Sequence, residues 1–112
     1  ADLSDRGMLD ETIVMCAGEF GRTPKINKNA GRDHWARSMA CVVAGGGLKK
    51  GYAHGTTDAS GMAPATEPVT PDDVAATIFQ QLGVGPDTEL QTPTGRPVQV
   101  FREGRVIEKL IG

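Results

Sequence analysis

Two short apolar runs, Thr12-Ile13-Val14-Met15-Cys16-Ala17 and Ser38-Met39-Ala40-Cys41-Val42-Val43-Ala44, constrain this chain more than any other feature. Neither run alternates apolar with polar. A continuous apolar stretch of six or seven residues, bounded by Asp10-Glu11 and Gly18 in one case and by Gly45-Gly46-Gly47 in the other, suits a central strand covered on both faces. Two such strands predict a mainly parallel sheet in an α/β architecture. Between them lies a polar, glycine-punctuated stretch, and in an open α/β sheet ligands sit beyond the carboxyl ends of the strands. The chemistry is therefore expected within residues 18–35.

The remaining elements are expected to be short, because fifteen glycines and seven prolines interrupt the 112 residues. Residues 1–9 read as the tail of a helix closing near Gly7. The clearest element is a helix over residues 71–82: Thr70 is a good N-cap, Pro71 suits the first helical position, Asp73 completes a capping box and Gly83 ends it. Val74, Ala75, Ile78, Phe79 and Leu82 fall on one face, so the helix is expected to pack on the sheet. Residues 50–57 suggest a short strand and residues 59–69 a loop. Residues 97–101 alternate, Glu103-Gly104 turns and residues 105–107 alternate weakly, which together predict a C-terminal hairpin. The Gly45-Gly46-Gly47 run reads either as a flexible turn or as a place of close backbone approach.

Charge and composition narrow the partners. A net charge of −2 and only five aromatic residues argue against nucleic acid, which calls for a broad basic face or a stacking platform. No apolar run approaches the ~18 residues of a membrane helix and no signal peptide is present, so no membrane partner is expected. The basic residues are nonetheless concentrated. Arg22, Lys25, Lys28, Arg32 and Arg37 share their stretch with one acid, Asp33. That patch reads as an anion-binding surface or as a solvated loop. Cys16 and Cys41 lie inside the apolar runs and are expected to be buried thiols, with a disulfide left open.

Several residues of this stretch carry possible chemistry. Asp33-His34 sets an oxygen and a nitrogen ligand side by side, although a catalytic zinc site takes three protein ligands. Glu19 stands just past the end of the first apolar run, where a carboxylate needs a cation or several donors. Its alternative is a surface pairing with Arg22. His54 is the only other histidine, either a third nitrogen ligand or a solvent-facing strand residue. Trp35 is expected to pack over the site or against the sheet. Arg22 is well placed to grip a tetrahedral oxyanion, since a guanidinium binds such groups bidentately.

Gly18-Glu19-Phe20-Gly21-Arg22-Thr23-Pro24, Gly31-Arg32-Asp33-His34-Trp35, Gly45-Gly46-Gly47 and Gly55-Thr56-Thr57-Asp58, in this order, resemble the C-terminal part of the sulfatase-like proteins of domain-of-unknown-function family 1501. The family is similar to the alkaline phosphatase and sulfatase superfamily. The resemblance implies that residues 1–112 form a single C-terminal segment of a larger alkaline-phosphatase-like sandwich, with mainly parallel central strands, one clear helix and a C-terminal hairpin. It implies a divalent metal, zinc or manganese, with Asp33, His34 and Glu19 as ligands, His54 as a weaker candidate, and Arg22 and Arg32 binding the anion. Glu19 stands where the superfamily has an Asp ligand, and Thr23 where it has a His. The superfamily's nucleophile has no counterpart here, since Ser38, Thr56 and Ser60 are not at nucleophile-like positions.

Two functions follow as expectations. One is part of a metal-dependent sulfate or phosphate ester hydrolase, inactive by itself and acting on an anionic ester. The other is a non-catalytic domain that binds an anion, a glycan or a partner. Self-association is expected through exposed strand edges or a shared apolar face. The resemblance also implies export to the periplasm in many relatives.

Overall fold

The computed structural model describes residues 1–112. Helix α1 (Asp2–Asp5) ends at Arg6 and Gly7, the latter in the left-handed region, and a 3-10 turn over Leu9–Glu11 leads into strand β1 (Val14–Ala17). β2 (Gly21–Arg22), β3 (His34–Trp35), β4 (Cys41–Ala44), β5 (Thr56–Thr57) and β6 (Pro64–Thr66) follow, all short. Helix α2 (Pro71–Gln81) is the one long element, and β7 (Glu89–Gln91), β8 (Pro97–Gln99) and a 3-10 turn over Glu108–Leu110 complete the chain. No helix is long and apolar enough to cross a membrane.

The strands form four separate two-stranded ribbons, β1 with β4, β2 with β3, β5 with β6 and β7 with β8, and every pair is antiparallel. The expected sandwich with mainly parallel central strands is therefore overturned. A parallel pair needs a crossover connection, usually a helix. The connection from β1 to β4 contains no helix but the β2–β3 ribbon, so the chain returns antiparallel to β1.

The two apolar runs pair with each other in the register Val14 with Ala44, Met15 with Val43, Cys16 with Val42 and Ala17 with Cys41. Their surroundings differ from expectation. All of β1 is exposed, and in β4 only Val43 is partly covered. Both thiols are free and exposed, not buried. Directly opposed residues share a face of a ribbon, so Cys16 lies on the Val42 face and Cys41 on the Ala17 face, which places the two thiols on opposite sides. Gly45 serves as more than a flexible turn. Its φ is +79°, and a Cβ there would collide with the carbonyl oxygens of Thr12 and Leu9, so only glycine lets the chain turn this tightly against the start of β1.

The small core sits under α2. Its N-terminus carries the full capping box, with Asp73 N–H donating to the Thr70 hydroxyl at 3.2 Å and Thr70 N–H to the Asp73 carboxylate at 2.8 Å. The helix packs against the extended C-terminal segment rather than a sheet. Ala76 and Thr77 are its buried residues, and Gly104 passes so close to Asp72 and Ala76 that a side chain there would not fit. On the face expected to be buried, Phe79 and Leu82 are exposed, although Phe79 meets Phe101 edge-on with ring centroids 5.3 Å apart.

The C-terminal hairpin pairs β8 with the upstream β7, not with residues 105–107, which are taken up in docking on α2. The final residues close back on the glycine run through a bridge between Leu48 and Ile111.

Candidate functional site

The β2–β3 ribbon carries most of the residues singled out above. It forms because Arg22 faces His34 and Gly21 faces Trp35 across an antiparallel pair, in a stretch expected to be mostly loop. Gly21 is required at its position, since a Cβ would run into the carbonyl oxygens of Ser38 and Trp35. Thr23 fastens the ribbon at its open end. Its N–H donates to the Asp33 carbonyl at 3.0 Å, its hydroxyl accepts from the Asp33 N–H at 3.1 Å, and the same hydroxyl donates to the Lys25 carbonyl at 2.9 Å.

The loop between the strands is organised by Asn27. Its side-chain oxygen accepts from the N–H groups of Asn29 and Gly31 at 2.9 and 3.0 Å, and its amide donates to the Asp33 carboxylate at 2.9 Å. A side-chain amide mimicking a backbone turn is the usual role of Asn in such a loop. The spacing Asn27, Asn29, Gly31 was the available sign of it. Ala30, inside this loop, is held at a φ of +59°.

The two arginines proposed for anion binding are positioned by backbone carbonyls. Arg22 donates to the Arg32 carbonyl at 3.2 Å, while one nitrogen of Arg32 donates to the carbonyls of Thr23, at 2.8 Å, and Pro24. Neither is paired with an acid. The ion pairs of the molecule are Arg6 with Asp2, Lys50 with Asp10 and Lys109 with Glu67, and none draws on Arg22, Lys25, Lys28, Arg32 or Arg37. A guanidinium has five N–H donors in a planar fork, so each arginine keeps donors for a ligand.

Phe20 supports this arrangement. Its ring lies 3.9 Å from the His34 ring, centroid to centroid, and the Arg22 guanidinium stands 5.1 Å above it. A cation over an aromatic face is held there electrostatically. Phe20 and Arg22 also line an open cleft of about 330 Å³ together with Ser38, Met39 and Thr57. Of these wall residues, Ser38 and Met39 were not anticipated, whereas Thr57, with Asp58, offered a turn cap or a further oxygen from sequence; the approach of residues 57–62 to the ribbon is long-range and leaves no local pattern. It is fixed by Trp35, whose indole N–H donates to the Met62 carbonyl at 2.6 Å.

Asp58 shapes that segment. Its carboxylate accepts from the Met62 N–H, the Ser60 hydroxyl and the Ser60 N–H at 2.9, 2.8 and 3.0 Å. The Met62 bond and then the Ser60 hydroxyl hold its pKa below the ordinary carboxylate range. A second cleft, of about 410 Å³, opens beside Thr70. Asp72, Asp73 and Glu103 stand on its wall against Arg105, which makes it a poor place for an anion.

The candidate metal ligands are not assembled into a cage. No group of three or more His, Cys, Asp or Glu side chains in the chain could hold a metal ion. Asp33 gives one carboxylate oxygen to Asn27 and His34 stacks on Phe20, while adjacent residues at the start of a strand diverge to opposite faces. Glu19 is exposed. His54 belongs to another group, with its ring 6.1 Å from Tyr52 and its Nδ1 buried without a hydrogen-bond partner. These residues alone do not fit a resident divalent metal.

Residues 1–111 match the model of a family described as Protein of unknown function (DUF1501). No curated protein and no solved structure matches the chain.

Proposed function

We propose, from the premise that this chain belongs to the DUF1501 family, that its β2–β3 ribbon binds the anionic group of a sulfate or phosphate ester and serves a hydrolase of such esters. The observation that carries this reading is the state of Arg22 and Arg32. Both guanidiniums are oriented by backbone carbonyls and neither has a carboxylate partner. A tetrahedral oxyanion supplies the acceptors that such forks lack, through charge-assisted and bidentate bonds. The ester class, and kinship with sulfatases and alkaline phosphatases, rest on the resemblance of the motifs around these arginines.

The chain's own residues bind and orient the ester. Arg22 and Arg32 neutralise the charge that builds on the non-bridging oxygens as the ester bond breaks. Phe20 supports the first guanidinium, and the cleft beside it takes the rest of the substrate.

A second reading, a domain that binds an anionic ligand such as a sulfated glycan without turning it over, draws support from the hydroxyls nearby. The Ser60 hydroxyl donates to Asp58 and the Thr56 hydroxyl pairs with Thr66, so neither stands free as a nucleophile.

One experiment addresses both readings. The protein is titrated with 4-nitrophenyl sulfate and 4-nitrophenyl phosphate, with and without zinc or manganese, and both binding and nitrophenolate release are followed. Arg22→Gln and Arg32→Gln should each weaken binding by about tenfold, the worth of a charge-assisted hydrogen bond. Binding unchanged in both variants would sink the anion-site reading. Nitrophenolate release then separates hydrolase from binder.

A further inference from the structure

We infer that Met39 selects the alcohol half of the ester, so that the cleft beside Arg22 takes esters of small, uncharged, apolar alcohols in preference to sugar esters. The inference rests on the anion-site reading above and adds to it the chemistry of the group that carries the anion. The cleft holds about 330 Å³, at the lower end of the range for small-molecule sites, so the body it admits is small. Arg22 is the one charged side chain on its wall, and Ser38 and Thr57 supply the only hydroxyls. The rest is the ring of Phe20, the thioether of Met39, the methyl of Ala40 and glycine backbone, with no carboxylate, amide or imidazole. A sugar body carries several hydroxyls, and each one taken from water needs a partner or weakens binding. Two hydroxyls on the wall are too few for that. An apolar body needs none.

Met39 stands 44% exposed on this wall, so its side chain has apolar surface left for a ligand to cover. A thioether is flexible and polarisable, and it packs well against an aromatic ring. Its position is fixed by the fold. Gly21 lets the Ser38 carbonyl lie against β2, so the next residue, Met39, reaches the cleft that Phe20 and Arg22 line. The Trp35 bond to Met62 and the Asp58 bonds to Ser60 and Met62 hold the segment that brings Thr57 and Gly61 to the same cleft. Walls ordered in advance lose little freedom when a ligand enters, and more of the contact then appears as affinity.

Three esters of equal charge separate the body from the anion: methyl sulfate, 4-nitrophenyl sulfate and glucose 6-sulfate. Their binding to the 112-residue chain is measured by calorimetry at fixed ionic strength. The nitrophenyl ester should bind at least about tenfold more tightly than methyl sulfate, whereas glucose 6-sulfate should stay within about twofold of it. Met39→Ala should reduce the preference for the nitrophenyl ester over methyl sulfate about fivefold, little more than the worth of one buried methylene. Met39→Leu, which conserves volume, should keep most of that preference. If Met39→Ala fails to fold, the three wild-type affinities decide the body class by themselves. Equal binding of all three esters, or tighter binding of glucose 6-sulfate, overturns the inference while the anion site stands. A preference undiminished in Met39→Ala overturns the role of Met39. Binding of none of them removes the anion-site reading, and the inference falls with it.

Discussion

Ile107 donates its backbone N–H to the hydroxyl of Thr77 at 2.9 Å, and that hydroxyl donates in turn to the Asp73 carbonyl at 2.7 Å. Thr77 is 2% and Ile107 8% exposed, so the bond ties α2 to the C-terminal segment inside the little core this molecule has. In a chain where only five of the 112 residues are buried, one such bond weighs heavily.

Replacing Thr77 by Val keeps the shape of the side chain and removes the acceptor for Ile107. The buried N–H is left unpaired, which costs about 1–3 kcal/mol. Thr77→Val should accordingly lower the midpoint of urea denaturation, while Thr77→Ser, which keeps the hydroxyl, should cost less. Equal midpoints for Thr77→Val and wild type would show that the segment does not depend on this bond.

The helix on which Thr77 sits was the most legible part of the sequence, because Thr70, Pro71 and Asp73 are local signals and each forms the contact its spacing predicts. What it packs against was not legible. Val74, Ile78 and Leu82 define an apolar face by periodicity, but burial went to Ala76 and Thr77, where the C-terminal segment comes close through Gly104 and Ile107. The two apolar runs show the same division. Their extended conformation could be read from composition, whereas direction and cover depend on the connection between them and on what lies across each face. At the site, Asp33-His34 stood out as adjacent ligands. Asn27, which takes up the Asp33 carboxylate, acts through loop geometry that a dipeptide does not reveal.

Asp73 gives a pH dependence with a definite sign. The Thr70 N–H and then the Arg105 N–H, which donates at 2.8 Å, hold its pKa below the ordinary carboxylate value. A depressed carboxylate pKa contributes stability that is present above the unfolded value, about 3.9, and is lost as pH falls through the lower folded value. Asp73→Asn should therefore flatten the loss of stability below about pH 4. The measurement is the urea midpoint from pH 5 to 2, and identical slopes for variant and wild type would contradict it.

Asn27 offers a test of how the anion site is kept open. Its amide occupies the Asp33 carboxylate, which directly follows Arg32 in the chain. Asn27→Ala should free that carboxylate to compete with a ligand and weaken sulfate binding by about 1.5- to 5-fold, the range of one exposed charge pair. The double change Asn27→Ala with Asp33→Asn removes the competing charge while leaving the loop equally cut, and should restore most of the affinity. Binding is followed by calorimetry or by shifts of the Arg22 and Arg32 resonances, at fixed ionic strength because exposed charges are screened by salt. If the double variant binds as weakly as Asn27→Ala, the loss comes from the disordered loop and not from the freed carboxylate, and Asn27 is then a structural residue alone.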